Sequence, residues 1–332
     1  MTAAAPALAN TMRAITHDRY GSPDVLQLRD IEVPVVDDDS VLVRVRAASV
    51  NAYDWHMMRG HPYLLRMSEG LRRPKTNAFG VDMAGVVEAV GKNVTQFQPG
   101  DAIFGERDGA FAEYVSAREK SIAPKPANLS FEQAAAVPMA GFTALQALRD
   151  KGNVQPGQRV LINGAAGGVG TFAVQLAKAL GAEVTAVTST KNVEMVRSLG
   201  ADHVVDYTFE DFTKGDKRYD LILDIGGNRS LVACRRVLDP QGVLVVVGGK
   251  SSRWFAVLLR PVAAMLLSRI GSQRLLPFLA RRSKADLVIL KDLIEAGNLT
   301  PVIDRTFPLS EAADAVRYVE DGQAKGKVVI TV

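Results

Sequence analysis

Residues 159–170 constrain this chain more than any other segment. An apolar run, Val160-Leu161-Ile162, leads into Asn163-Gly164-Ala165-Ala166-Gly167-Gly168-Val169-Gly170, and a helical pattern begins at once. Strand, glycine-rich loop and helix in that order are the context of a dinucleotide-binding βαβ unit. The glycines have a physical purpose. Backbone N–H groups must come close to a pyrophosphate, and a Cβ would hold it off. The helix N-terminus adds unpaired donors and a favourable dipole. A merely structural glycine turn is the competing reading, and the units that follow weigh against it.

Those units alternate. Strands are expected at Glu183–Thr188, His203–Asp206, Leu221–Asp224 and Val243–Val247. Helices are expected at Thr143–Lys151, Phe172–Leu180 and Val193–Leu199, the last two closed by Gly181 and Gly200. Such alternation predicts a doubly wound parallel sheet covered by helices on both faces. The first third reads differently. Val41–Arg46 alternates apolar and basic residues, Val86–Val90 is a further strand, and Pro99-Gly100-Asp101 and Asp108-Gly109 are turns. Short strands with Gly/Pro turns predict a small barrel or sandwich. The chain ends on a helix near Ala312–Val319 and a strand over Lys327–Val332.

A NAD-selective loop places Asp or Glu at the end of the next strand, against the ribose 2′-hydroxyl. Here that strand ends in Thr188-Ser189-Thr190-Lys191-Asn192. Nothing there repels a 2′-phosphate, and Ser189 and Lys191 can bind one, so the reading is NADP(H). Asp224-Ile225-Gly226-Gly227 and Val247-Gly248-Gly249 close strands at the carboxyl edge, where ligands of open α/β sheets bind.

The 332 residues carry 40 Lys+Arg, 36 Asp+Glu and one cysteine, Cys234. A single cysteine excludes an internal disulfide framework and multi-thiolate zinc sites. The positive charge is local. Residues 250–285 hold eight basic residues and no acid, leaving 32 basic against 36 acidic elsewhere. That argues against nucleic-acid binding over a broad surface. Trp254, Phe255, Leu258, Leu259, Met265 and Leu266 accompany the arginines of this segment. It reads as a surface helix pair or dimer face with solvated arginines, or as a mobile flap with peripheral membrane contact. Residues 1–11 read as a flexible leader without a basic n-region, and the expected location is cytoplasmic.

Further marks are Gly80-Val81-Asp82-Met83-Ala84-Gly85-Val86-Val87, Pro99-Gly100-Asp101, Gly109-Ala110-Phe111-Ala112-Glu113-Tyr114 and Gly326-Lys327-Val328-Val329. With the glycine loop, they make the chain resemble the zinc-free quinone oxidoreductase branch of the medium-chain dehydrogenase/reductase superfamily over residues 12–332. The resemblance implies an α/β protein: a GroES-like, β-rich catalytic domain (12–131 and 286–332) and a Rossmann NADP-binding domain (132–285, with 250–285 as a basic apolar insertion). It implies an active site in the cleft between them and a homodimer. Where zinc-dependent members carry a ligand cysteine and histidine, this chain has Asn51 and Val81, and residues 134–141 hold no cysteine. Four-coordinate zinc needs N, S or carboxylate ligands in place, so no metal is expected. By the same resemblance Asn51 lies near the nicotinamide, Asp54 holds the local turn or binds substrate indirectly, Tyr207 lies near the 2′-phosphate, and Lys327 approaches the cofactor.

The candidate catalytic residues are therefore Asn51, Tyr53, Asp54 and His56. His56 is weighed as a substrate-side proton donor because imidazole titrates near neutrality. Tyr53 and Tyr63 are alternative donors. His17, His61 and His203 form no ligand spacing with it and read as surface or satisfied residues. Cofactor contacts are expected from Gly164, Ala165, Gly167, Gly168, Val169, Gly170, Thr188, Ser189, Lys191, Tyr207, Gly226, Gly248 and Lys327. The implied activity is zinc-independent hydride transfer from NADPH to a small lipophilic quinone or α,β-unsaturated carbonyl. The alternatives are a 2-enoyl thioester reductase, and a nucleotide-binding scaffold or sensor that has lost turnover.

Overall fold

In the computed structural model, residues 10–248, 256–269 and 271–332 are described. In chain order the strands are β1 (Thr11–Thr16), β2 (Gln27–Glu32), β3 (Ser40–Val50), β4 (Asp82–Val90), β5 (Ala102–Glu106), β6 (Tyr114–Arg118), β7 (Ile122–Pro124), β8 (Arg159–Asn163), β9 (Glu183–Thr188), β10 (His203–Asp206), β11 (Tyr219–Asp224), β12 (Leu238–Val246), β13 (Arg274–Pro277), β14 (Ile303–Pro308) and β15 (Lys327–Thr331).

One sheet runs β14-β15-β3-β4-β5-β7, with β6 also on β3; β1 and β2 form a separate hairpin. The GroES-like part thus recruits the chain end, since β15 pairs antiparallel with β3. Strand β3 pairs with β4, β6 and β15 and is buried over most of its length. Its basic positions are handled locally: Arg44 sits 3.5 Å from Glu88 and Arg46 is exposed.

The second sheet is wholly parallel, in the order β10-β9-β8-β11-β12-β13. That is the doubly wound order, and the winding reverses between β8 and β11. Val160, Leu161 and Ile162 on β8 are fully buried, with Leu161 in one apolar cluster and its two neighbours in the other. A strand covered on both faces reads as an unbroken apolar run, which is what the sequence shows.

Several elements differ from expectation. The helix expected at 143–151 begins at Pro138 and runs to Gln146, then widens into a π turn over Ala147–Lys151. The glycine-loop helix starts inside the loop, at Gly168, and ends at Ala179.

The basic segment is corrected most. It is not simply an insertion, because it contains β13, the sixth strand of the parallel sheet, whose Leu275 is buried. Its arginines are not uniformly solvated. Arg260, on the helix Ala256–Leu267, places its guanidinium on the buried Asp224 carboxylate and donates to the Gly227 and Arg229 carbonyls at 3.3 and 2.9 Å. Arg282 pairs with Asp108 at 2.6 Å and Lys284 reaches Gln96 at 2.7 Å. Val262, Met265 and Leu266 on that helix remain exposed. Lys250, Arg253, Trp254 and Phe255 lie outside the described residues, as does the proposed leader up to Ala9.

Candidate active site

A cavity of about 470 Å³ opens at the point where the winding reverses. The glycine loop forms one wall. Gly164 adopts φ +92°, which L side chains rarely take. A Cβ on Gly170 would lie 2.2 Å from the Gly164 carbonyl oxygen, so glycine is required there for packing. At Gly167 a Cβ would meet nothing nearer than 3.7 Å: that face is open. Gly167 caps the Gly168–Ala179 helix with no side-chain hydrogen bond, leaving the helix N-terminus available to an anion.

Of the expected cofactor contacts, Gly164, Gly167, Gly168, Val169, Thr188, Ser189, Tyr207, Gly226 and Lys327 line this one cavity. Four do not. Ala165 is buried in the core beneath the loop and Gly170 packs on Gly164. Gly248 packs on Ile225, where a Cβ would fall 2.2 Å from the carbonyl oxygen. Lys191 is exposed, between the lining Ser189 and Asn192 in the chain. No Asp or Glu is among the described lining residues, and Asn192 completes the Thr188–Ser189 corner.

The opposite wall is a buried polar cluster. Lys327 Nζ donates to the Val50 carbonyl at 3.2 Å and to Asn51 Oδ1 at 2.5 Å, and lies 3.6 Å from Asp82 Oδ2. Asp82 also accepts from Asn51 Nδ2 (2.9 Å), Ser49 Oγ (3.1 Å) and the Met139 N–H (3.2 Å). Burial raises Asp82 and lowers Lys327, while the pair's mutual attraction opposes both shifts. The loop and this cluster touch: Gly326 N–H donates to the Ala166 carbonyl at 2.8 Å. Asp82 is the functional candidate that reading the residues missed. Its signal was an acid inside the apolar run that becomes β4.

The Asn51–Asp54 turn lies between this cavity and a smaller one of about 170 Å³. Asn51 and Ala52 line the larger; Tyr53 and Asp54 line the smaller. Asp54 Oδ2 accepts the Asn51 N–H at 2.7 Å as a helix cap. Burial, reinforced by the Asp82 charge, pushes the Asp54 carboxyl up to about 8.

His56 lines neither cavity. It stacks on Trp55 and its Nδ1 lies 3.1 Å from the His61 carbonyl oxygen, a local helix-end contact that keeps it from the proposed substrate side. Tyr63 likewise lines neither and packs edge-on to His61. His17 departs the other way. It is neither a surface residue nor a satisfied one: it is buried, lines the smaller cavity, and its Nδ1 has no hydrogen-bond partner.

Residues 37–127 match a family model described as the alcohol dehydrogenase GroES-like domain, and residues 199–330 match one described as zinc-binding dehydrogenase. Over 96% of its length the chain is 33% identical to the NADPH-dependent alkenal/one oxidoreductase, chloroplastic, of Arabidopsis thaliana, covering 79% of that protein. The chain belongs to the medium-chain dehydrogenase/reductase superfamily. Among solved structures, the quinone oxidoreductase of Coxiella burnetii superposes with a TM-score of 0.86 at 31% identity, over 97% of this chain and 99% of that one. The Escherichia coli quinone oxidoreductase, solved in complex with NADPH, gives 0.82 at 25% identity, over 96% and 100%. A GroES-like domain joined to a Rossmann-type sheet is the superfamily's arrangement, and this chain has it.

Proposed function

We propose that this chain is a zinc-independent, NADPH-dependent reductase that delivers a hydride to a quinone or an α,β-unsaturated carbonyl. The observation that carries the reading is the meeting of two walls in one cavity. A glycine cradle at a helix N-terminus, with no acid among the described lining residues, faces the Asn51–Lys327–Asp82 cluster. Relatives and solved neighbours named as NADPH-dependent enone and quinone oxidoreductases support it. The residues fit the cofactor, since the loop is open where the pyrophosphate would lie.

When bound, NADPH supplies the hydride and its electron pair; solvent supplies the balancing proton. Thr188, Ser189 and Tyr207 would hold the 2′-phosphate end, with the exposed Lys191 as a further cation near them in the chain. Lys327 and Asn51 would fix the other end, with the Lys327 ammonium presenting positive charge to the acceptor side. Zinc independence is supported by the donor chemistry. Asn51 and Val81 offer neither thiolate nor imidazole at the superfamily's ligand positions, and no cluster of three His, Cys, Asp or Glu suited to a metal occurs among the described residues.

Stopped-flow oxidation of NADPH and NADH against quinones, enones and 2-enoyl thioesters tests the reading. Quinone or enone turnover with NADPH preferred is expected. Turnover of thioesters alone, or tight NADPH binding without turnover by any acceptor, overturns it in favour of the thioester reductase or the scaffold. Equal affinity for NADH overturns the assignment of Ser189 and Lys191.

Two finer readings accompany it: a cytoplasmic homodimer, and peripheral membrane contact through the exposed Val262, Met265 and Leu266. No helix among the described residues is long and apolar enough to cross a membrane. Sedimentation with and without anionic vesicles at low salt reads out both. A monomer overturns the first, and no co-pelleting overturns the second.

A further inference from the structure

Strands β8 and β11 lie side by side where the winding of the parallel sheet reverses, and their last residues, Asn163 and Asp224, are register neighbours. Asn163, Ile225, Gly226 and Asn228 line the larger cavity at this corner. The hydrogen bonds that shape the corner converge on the Asp224 carboxylate. Its Oδ1 accepts Asn163 Nδ2 at 2.7 Å and the Gly227 N–H at 3.0 Å, which folds the turn after β11 back onto its strand. Asn163 Nδ2 also donates to Asn228 Oδ1 at 2.9 Å, and the Asn163 backbone carbonyl accepts the Ile225 and Gly226 N–H groups at 3.0 Å. Gly226 packs on that side-chain amide: a Cβ there would fall 3.3 Å from Nδ2.

Asp224 is fully buried, and a buried carboxylate needs a partner. Arg260 supplies it from behind the cavity, on the helix Ala256–Leu267. Its Nη2 pairs with Asp224 Oδ2, and its Nη1 donates to the Gly227 and Arg229 carbonyls at 3.3 and 2.9 Å. Its Nε is buried with no hydrogen-bond partner, so the guanidinium is anchored through its two Nη groups. One planar fork therefore grips the carboxylate and the turn at once. Arg229 is no substitute, because its own guanidinium sits on Asp211 at 3.0 Å.

Charge compensation alone would need only a cation near Asp224. The carbonyl contacts do more. Gly227 stands between Gly226 and Asn228, which both line the cavity, and Arg229 follows them. Fixing the carbonyls of Gly227 and Arg229 fixes how that stretch of backbone meets a ligand, which is preorganisation. Arg260 itself is not among the residues that line the cavity.

We propose that Arg260 is a positioning residue of the nucleotide site, holding the 225–229 turn in its binding shape without touching the cofactor. The helix Ala256–Leu267 thereby belongs to the nucleotide site. The proposal rests on reading the larger cavity as the NADPH site.

The test compares wild type with Arg260→Lys, Arg260→Met and the double variant Arg260→Met/Asp224→Asn. Fluorescence titration gives NADPH affinity, circular dichroism gives Tm, and turnover of 1,4-benzoquinone gives KM for NADPH and kcat. Arg260→Lys keeps a cation for Asp224 but loses the fork, since an ammonium is a point charge without fixed donor directions. It is expected to melt near wild type yet bind NADPH about tenfold more weakly, the size of one or two lost hydrogen bonds from a charged donor. KM for NADPH is expected to rise in parallel, with the larger effect on KM than on kcat. Arg260→Met strands the carboxylate and is expected to lower Tm as well. The double variant removes that stranded charge and is expected to regain Tm but not NADPH affinity.

Wild-type NADPH affinity in Arg260→Lys overturns the proposal. So does a double variant that recovers both Tm and affinity, because Arg260 is then a counter-ion and nothing more. A fall in kcat with KM for NADPH unchanged overturns it too. NADPH binding that depends on Arg260, without turnover of any acceptor, upholds the proposal and overturns the reductase reading. Absence of NADPH binding by wild type overturns both. If Arg260→Met fails to fold, Arg260→Lys and the double variant carry the comparison.

Discussion

Gly167→Ala and Gly170→Val are both expected to abolish tight NADPH binding, for different physical reasons. At Gly170 a Cβ would sit 2.2 Å from the Gly164 oxygen and 2.6 Å from the Ala165 carbonyl carbon. Both are backbone atoms of the same loop, so the loop must deform. Valine there is expected to cost about 1–3 kcal/mol of stability as overpacking. It also displaces the donors that face the pyrophosphate. At Gly167 the added methyl meets nothing within 3.7 Å, so the fold tolerates it. That open space is where the pyrophosphate must pass, and the methyl fills it. Gly167→Ala is therefore expected to melt within about 1 kcal/mol of wild type yet bind NADPH at least a hundredfold more weakly, about 2.7 kcal/mol. Fluorescence titration of NADPH beside a circular-dichroism melt separates the two effects. A Gly167→Ala protein that binds NADPH normally would show that the loop is not the cradle.

The same contrast explains why the nucleotide-binding half was legible in the sequence. A backbone that must touch backbone can be written only as glycine, so the constraint is visible in one letter. The β8-to-β12 alternation was equally visible, because strands covered on both faces must be apolar throughout. What escaped depends on partners far along the chain. Arg260 looks like any surface arginine until Asp224, 36 residues earlier, is seen to hold it. Strand β13 is only four residues long and lies in a stretch whose charge suggested a solvent-facing segment. The substrate side was legible only in outline. Asn51, Tyr53 and Asp54 share one turn and reach the cavities together, whereas His56, two residues further on, points its ring into the Trp55 stack. Helical geometry separates neighbours that sequence distance puts together. His17 belongs to a different element altogether, and nothing local distinguishes it from His203, which pairs with Glu183 at the surface.

The Asp82–Lys327 pair allows the sharpest separation of structural from functional electrostatics. Asp82 is fully buried and Lys327 nearly so. Asp82→Ala removes the acceptor for Asn51 Nδ2, Ser49 Oγ and the Met139 N–H, and leaves an ammonium in the interior with only the Val50 and Asn51 oxygens. Breaking a buried pair from one side costs about 3–5 kcal/mol, because the surviving charge is uncompensated. For a domain of this size that is about 6–20 °C in Tm. Burial already lowers the Lys327 pKa, and losing the Asp82 charge lowers it further, which weakens the hold of Lys327 on its proton. The cavity wall also loses the carboxylate that fixes Lys327 and Asn51, and kcat/KM with NADPH is expected to fall at least tenfold. The double variant Asp82→Ala/Lys327→Met removes both charges and is expected to be more stable than Asp82→Ala alone, while regaining no activity. If the double variant is as unstable as the single, the cost lies in the lost hydrogen bonds to Asn51, Ser49 and Met139, and the ion pair is not what holds this wall of the site. If it regains activity, the Lys327 charge is not needed for hydride transfer, and the acceptor must be oriented from the Asp54 side of the turn.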